Sequence, residues 1–97
     1  MDILTNQTLE EAITKVLQDY LEFLGNDPDS EIELIIDQDR THYLLVEIGW
    51  QNYRRIYGTL IHIDLIKNKI WIQQDGTEEG IANELVKQGI SANRSRF

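Results

Sequence analysis

The sequence predicts a two-layer α+β fold of the order αββββα, forming one domain over residues 1–97. Apolar residues recur every three to four positions over residues 6–24, which is typical of an amphipathic helix. From residue 31 to residue 74 apolar and polar residues tend to alternate, which is typical of strands. Helical spacing then returns before residue 89. These patterns predict an N-terminal helix, a four-stranded antiparallel meander and a C-terminal helix.

The N-terminal helix has recognisable start and stop signals. Thr8 is a candidate N-cap because Glu11, three residues later, completes a capping box, and Thr5 is the rival cap. Gly25 can adopt the left-handed conformation that ends a helix, and the turn-forming residues 26–30 follow it. The apolar stripe comprises Leu9, Ile13, Val16, Leu17, Tyr20, Leu21 and Leu24.

Four strands are predicted over residues 31–37, 42–50, 53–66 and 70–74. The third is apolar on both faces, which favours a central strand or one that contacts a partner. Only two to four polar residues separate successive strands. Because a parallel pair needs a crossover of about a dozen residues, these strands must run antiparallel.

The C-terminal helix is predicted to follow directly after the last strand. Thr77 or Asp75 caps it, and Glu78 and Glu79 lie in its first turn, where the helix dipole favours negative charge. Gly89 ends it.

Composition excludes several classes of function. The chain has no cysteine, so disulfides, thiolate metal sites and a cysteine nucleophile are excluded. The net charge is −8, and Arg94 and Arg96 are the only charged residues after residue 90. Because the rest of the chain is strongly acidic, it should repel the phosphate backbone of a nucleic acid. We therefore expect a basic protein partner rather than direct nucleic-acid binding. The sequence shows neither a signal peptide nor an apolar membrane span, and we expect a cytoplasmic location.

One residue pair suggests metal or acid–base chemistry. His62 and Asp64 are two apart on a predicted strand and therefore share one face, and His42 is a possible third member. A structural role in the sheet is the preferred interpretation, so no catalytic residue, cofactor or metal is predicted. The acidic residues at the second helix start are better explained by capping than by cation binding.

Several side chains are candidates for a partner interface. Arg54, Arg55 and Tyr57 form a basic-aromatic group, although adjacent strand positions face opposite ways, and pairing of an arginine with Glu47 or a neighbouring acid is expected. Trp71 is out of phase with its apolar neighbours, which places it on the second face of the sheet, where a homo- or hetero-oligomer interface is expected. The candidate interface residues are Arg54, Arg55, Tyr57, Trp71, Asp75, Glu78 and Glu79.

Six segments carry a resemblance to a known family: DRTHYLL (39–45), GW (49–50), RRIYG (54–58), IHID (61–64), KIWIQ (69–73) and DGTEEGIANEL (75–85). In this order they resemble the XisI family, the excision controlling factors of the cyanobacterial fdxN element. Residues 91–97 depart from the family pattern, which usually continues with a segment containing Gly-Phe, Pro and basic residues.

The resemblance implies a non-catalytic cyanobacterial accessory factor that controls excision of a DNA element. It implies binding to a nuclease-like XisH-type partner and an indirect connection to a recombinase, and it supplies no catalytic residues. The sequence leaves open whether the chain assists its partner or restrains it.

Two alternative functions remain. One is a small metal-assisted hydrolase that uses His62, Asp64 and an acid near Asp75. The other is direct DNA binding through the tail that carries Arg94 and Arg96.

Overall fold

The computed structural model describes residues 6–25, 30–78, 80–90 and 95–96. Its elements are α1 (Asn6–Leu24), β1 (Ser30–Ile36), β2 (His42–Gln51), β3 (Arg54–Ile66), β4 (Lys69–Asp75), α2 (Ile81–Lys87) and β5 (Ser95–Arg96). The predicted α+β order αββββα is confirmed by the first six of these elements.

All five described strands lie in one sheet in the order β1-β2-β3-β4-β5. The first four pair antiparallel, as their short connections require, whereas β5 pairs parallel with β4. The parallel pair is possible because α2 lies in the connection between β4 and β5 and provides the crossover. The sequence did not predict β5, since two residues are too few to show a strand pattern.

The core lies between the helices and one face of the sheet. Leu9, Ile13 and Leu17 recur every four residues on α1 and are completely buried. They belong to one apolar cluster with the sheet residues Tyr43, Leu45, Ile61, Ile63, Leu65, Ile70 and Ile72 and with Ile81, Leu85 and Ile90. Each fully buried aliphatic side chain contributes about 1.5–3 kcal/mol of burial free energy, so this cluster determines which face of the sheet the helices cover.

The bounds of α1 match the predicted residues 6–24, but the details of its two ends differ from the sequence prediction. Because the helix begins at Asn6, Thr8 lies inside it rather than at its N-cap, and Thr5 lies outside the described residues. Gly25 does end the helix, but its φ is not positive. Its amide donates to the carbonyl of Leu21, and a Cβ at Gly25 would lie 2.7 Å from that oxygen. Close backbone approach is therefore what requires glycine there.

Two hairpins have two-residue turns with positive φ. Asn52 and Tyr53 join β2 to β3 with φ values of 49° and 69°, and Lys67 and Asn68 join β3 to β4 with 49° and 62°. Positive φ at both central residues matches the right-handed twist of the flanking strands. The prediction that Tyr53 begins β3 is thus wrong by one residue, because Tyr53 belongs to the turn.

The second helix is shorter than predicted at its N-terminus. It begins at Ile81, after Gly80, so Glu78 is outside the helix; Glu79 lies outside the described residues. Its C-terminus matches the prediction, because Gly89 has φ 94° and donates to Val86, while Ile90 donates to Leu85. This is a Schellman motif, which favours glycine at that position. Neither α1 nor α2, the two helices in the described residues, is long and apolar enough to cross a bilayer.

Candidate functional site on the outer face of the sheet

Both described helices pack on one face of the sheet, and the opposite face, here called the outer face, carries exposed apolar side chains. Cross-strand partners share a face, and the outer face contains the pairs Ile35–Leu44, Ile48–Tyr57, Trp50–Arg55 and Asp64–Trp71. Trp50 is 58% exposed, Tyr57 68% and Trp71 39%. Exposed aromatic residues on one surface mark it as the candidate functional site.

A polar cluster of His42, His62 and Asp64 lies on the outer face. His42 is directly opposite Asp64 in the β2–β3 register, and His62 is two residues before Asp64 on β3. His42 Nδ1 is 2.6 Å and His62 Nε2 is 2.8 Å from the same atom, Asp64 Oδ1. The sequence placed His62 and Asp64 on one face; the hairpin register, which is not readable from sequence alone, adds His42.

Gln73 completes the surroundings of Asp64. Its side-chain amide donates to Asp64 Oδ2 at 3.2 Å, so both carboxylate oxygens have partners. The pairing of β3 with β4 shifts register between His62 and Ile63, and Gln73 is the extra residue on β4. Sequence reasoning missed Gln73 because a bulge changes which side chains share a neighbourhood, and no residue pattern signals it.

Electrostatics in this cluster follow from its geometry. The hydrogen bond to Asp64 raises the pKa of His42 above its usual value, against the opposing effect of desolvation. Burial acts to raise the pKa of Asp64, but the hydrogen bonds from His42 and His62 outweigh it and lower that pKa. Asp64 therefore remains a carboxylate although its side chain is only 12% exposed.

The candidate interface residues divide between two faces. Arg55, Tyr57 and Trp71 lie on the outer face, whereas Arg54 lies opposite Gln51 and, by strand alternation, faces the other way. The Arg55 guanidinium carbon is 5.2 Å from the centroid of the Trp50 ring, a cation–π distance. The prediction that an arginine pairs with Glu47 across the strands is wrong for Arg55, because Glu47 lies opposite Gly58 and Arg55 lies opposite Trp50.

Asp75, the acidic residue at the end of β4, does not join the outer face. Asp75 is paired with the buried Ile61, on the helix-covered side. Its carboxylate accepts hydrogen bonds from the backbone amides of Thr77 and Ile81, both at 2.9 Å. Asp75 and His62 therefore face opposite ways, so Asp75 does not join His62 and Asp64 as the alternative hydrolase hypothesis needs, and Glu79 lies outside the described residues.

A family profile and two solved structures that resemble this chain all point to the same protein family. The family profile described as "XisI protein" matches residues 1–94. A solved XisI-like protein from Anabaena variabilis is 35% identical, with a TM-score of 0.88 over 96% of this chain and 85% of that chain. The solved fdxN element excision controlling factor XisI from the same organism is 27% identical, with a TM-score of 0.78 over 92% of this chain and 86% of that one.

No curated protein matches the chain. The family profile nevertheless covers nearly the whole sequence, and the solved XisI-like protein shares the fold over nearly the same range. The resemblance inferred from the ordered segments is thereby confirmed, and the chain belongs to the XisI family.

Proposed function

We propose that this chain is a non-catalytic factor that controls excision of a DNA element by binding a nuclease-like partner of the XisH type. One solved protein similar to this chain is an fdxN element excision controlling factor, which supports the role in excision. Action through a partner is inferred from the outer face of the sheet.

The exposed aromatic surface is the observation that carries this proposal. Trp50, Tyr57 and Trp71 share the outer face with the half-exposed Ile35. Aromatic side chains and arginine are enriched at interface centres, and Arg55 lies against Trp50 at the same surface. Leaving this much apolar surface in water is unfavourable, so burial against a partner or a second copy gains free energy.

Charge indicates what kind of partner fits. The net charge of −8 opposes contact with a phosphate backbone, so the factor reaches DNA only through other proteins, including, indirectly, a recombinase. A nuclease-like protein must itself present a basic surface to DNA. An acidic factor is complementary to such a surface and either covers it or competes for it.

The hydrolase alternative is not favoured. It required an acid near Asp75 to meet His62 and Asp64, and Asp75 is instead bonded to Thr77 and Ile81 on the other side of the sheet. Glu78 is exposed in the same connection. The remaining cluster of His42, His62 and Asp64 lies on the open face of the sheet, without Asp75.

Co-purification with the XisH-like protein of the same organism, followed by size-exclusion chromatography with light scattering, tests the proposal. The expected result is a stable complex that Trp71→Ala and Tyr57→Ala weaken at least tenfold. Phe23→Ala is the matched control, since Phe23 is 77% exposed but lies on α1. Absence of a complex with well-folded protein, or equal weakening by all three substitutions, would contradict the proposal. Self-association that Trp71→Ala abolishes would assign the outer face to a homo-oligomer instead.

A further inference from the structure

We propose that His42, His62 and Asp64 bind a divalent transition-metal ion, with Zn²⁺ as the ion that fits best. The inference does not depend on the partner proposed above, and it does not require hydrolytic chemistry. It follows from the donor atoms, their spacing, and the charge balance of Asp64.

The donor set matches zinc. Two imidazole nitrogens and one carboxylate oxygen converge, and these three ligand atoms all lie within 4.8 Å of one another. Zinc takes nitrogen and oxygen ligands at about 2.0–2.2 Å, and sites with three protein ligands keep a fourth position open. Calcium and magnesium prefer sets made entirely of oxygen, so the two histidines select against them.

The three ligand atoms must rearrange locally to hold an ion, because both imidazole nitrogens are hydrogen-bonded to Asp64 Oδ1. The nitrogens lie 2.6 and 2.8 Å from Asp64 Oδ1. Neighbouring ligands of a tetrahedral zinc ion are about 3.3 Å apart, as follows from ligand distances of about 2.0 Å. To admit the ion, side-chain rotation must lengthen the two nitrogen–oxygen distances by about 0.5–0.7 Å and bring the two imidazole nitrogens, which lie within 4.8 Å of each other, to about 3.3 Å. The backbone positions are fixed by the paired strands β2 and β3, so the ligands stay together.

The charge balance also favours a cation. Asp64 is the buried charged residue of the described chain, at 9% exposure. A buried carboxylate is unfavourable unless it is paired or coordinates a metal, and the partners of Asp64 in the described residues are two imidazoles and one amide. Gln73 bonds to Oδ2 and leaves Oδ1 directed at the two imidazoles. An outer-sphere amide that orients a ligating carboxylate in this way is a common feature of metal sites.

The fourth ligand would come from the solvent side. The His42 side chain is 53% exposed and that of His62 32%, so the cluster opens onto the outer face. A water molecule, or a side chain of a protein docked there, can fill the open position.

Isothermal titration of the untagged full chain with ZnSO₄ tests the site. The chain has two histidines and no cysteine, so both of its imidazoles belong to the cluster and no thiolate competes. We expect one Zn²⁺ per chain, and His62→Gln or Asp64→Asn should lower the affinity at least tenfold, since even outer-sphere changes cost about 10–100-fold. Gln73→Ala tests that outer-sphere range directly.

Glu33→Gln is the matched control, because Glu33 is an exposed acid on the outer face of β1, opposite Val46 rather than in the cluster. It should leave the affinity unchanged. Co²⁺ provides a second readout, since bound tetrahedral Co²⁺ absorbs visible light strongly and His42→Gln, at an exposed position, should remove that band without unfolding the protein. Zn²⁺ binding that survives in the double variant His42→Gln/His62→Gln, or that Glu33→Gln weakens equally, would overturn the proposal, as would no binding at all.

Discussion

The carboxylate of Asp75 accepts a hydrogen bond from the backbone amide of Ile81, the first residue of α2, at 2.9 Å. Gly80, at the N-cap position, has no side chain to accept this bond, so Asp75 acts as the cap from five residues further back. The same carboxylate also holds the amide of Thr77, and the Thr77 hydroxyl accepts from the amide of Gly80. These bonds tie the end of β4 to the start of α2.

Asp75→Ala should lower the free energy of unfolding by about 1–2 kcal/mol, because it leaves the amides of Thr77 and Ile81 without an acceptor. Glu78→Gln is the matched control, since it changes an exposed acid of the same connection, and we expect a change within about 0.5 kcal/mol. Urea unfolding followed by circular dichroism measures both. Equal stability of the two variants would show that Asp75 is not the cap.

Acid should weaken the contribution of Asp75. Burial acts to raise its pKa, but the hydrogen bonds from Thr77 and Ile81 outweigh burial and lower the pKa below 3.8. The unfolded chain therefore binds the proton first as the pH falls, and the stabilisation is complete above about pH 5 and lost progressively below it. The difference in unfolding free energy between the wild type and Asp75→Asn should shrink from pH 7 to about pH 3. Parallel curves across this range would contradict the assignment.

Tyr43→Phe should leave stability unchanged or raise it by up to about 1 kcal/mol at neutral pH. The Tyr43 ring is buried in the core, and its hydroxyl has no hydrogen-bond partner among the described residues. Burial also raises the pKa of Tyr43 from 10.0 to about 12. Because the unfolded chain ionises first, the wild type should lose stability between these two pH values, and Tyr43→Phe should lose less. Loss of stability at pH 7 in the variant would indicate a partner for the hydroxyl.

Tyr53→Gly should raise the unfolding free energy by about 1 kcal/mol, because a left-handed conformation costs a non-glycine residue about 1–2 kcal/mol. Tyr53 has φ 69° at the β2–β3 turn, and its side chain is fully exposed, so little packing is lost. Asn52→Gly, with φ 49° in the same turn, is the control. Asparagine tolerates this conformation, so the control should change stability much less. Thermal unfolding of both variants measures the difference.

The sequence was sufficient for the antiparallel meander because the hydrophobic period and the short connections leave few alternatives. It was insufficient where backbone geometry decides the outcome. The start of α2 was placed too early because acids at positions 78 and 79 resemble a first helical turn, whereas the helix begins only at Ile81. Strand β5 was missed because two residues carry no period.

In the candidate site, too, the sequence predicts some features and backbone geometry decides the others. Strand alternation correctly grouped His62 with Asp64 and placed Trp71 on the face opposite the helices. The partners supplied by other strands could not be read, because they depend on register: His42 reaches Asp64 through the β2–β3 hairpin, and Gln73 reaches it through a bulge. Arg55 was expected beside an acid, but the register places Trp50 opposite it.

Association with the proposed XisH-type partner should slow as salt rises. The net charge of −8 attracts a basic surface over long range, and this attraction increases the association rate constant rather than the strength of the final contacts. Raising NaCl from about 0.1 M to about 1 M shortens the Debye length from about 10 Å to about 3 Å, so the rate constant should fall at least tenfold. Trp71→Ala separates the two effects, because removing an apolar contact should speed dissociation and leave the salt dependence of association intact. Stopped-flow fluorescence at several salt concentrations measures both rate constants, and an association rate that does not change with salt would mean that charge does not steer the encounter.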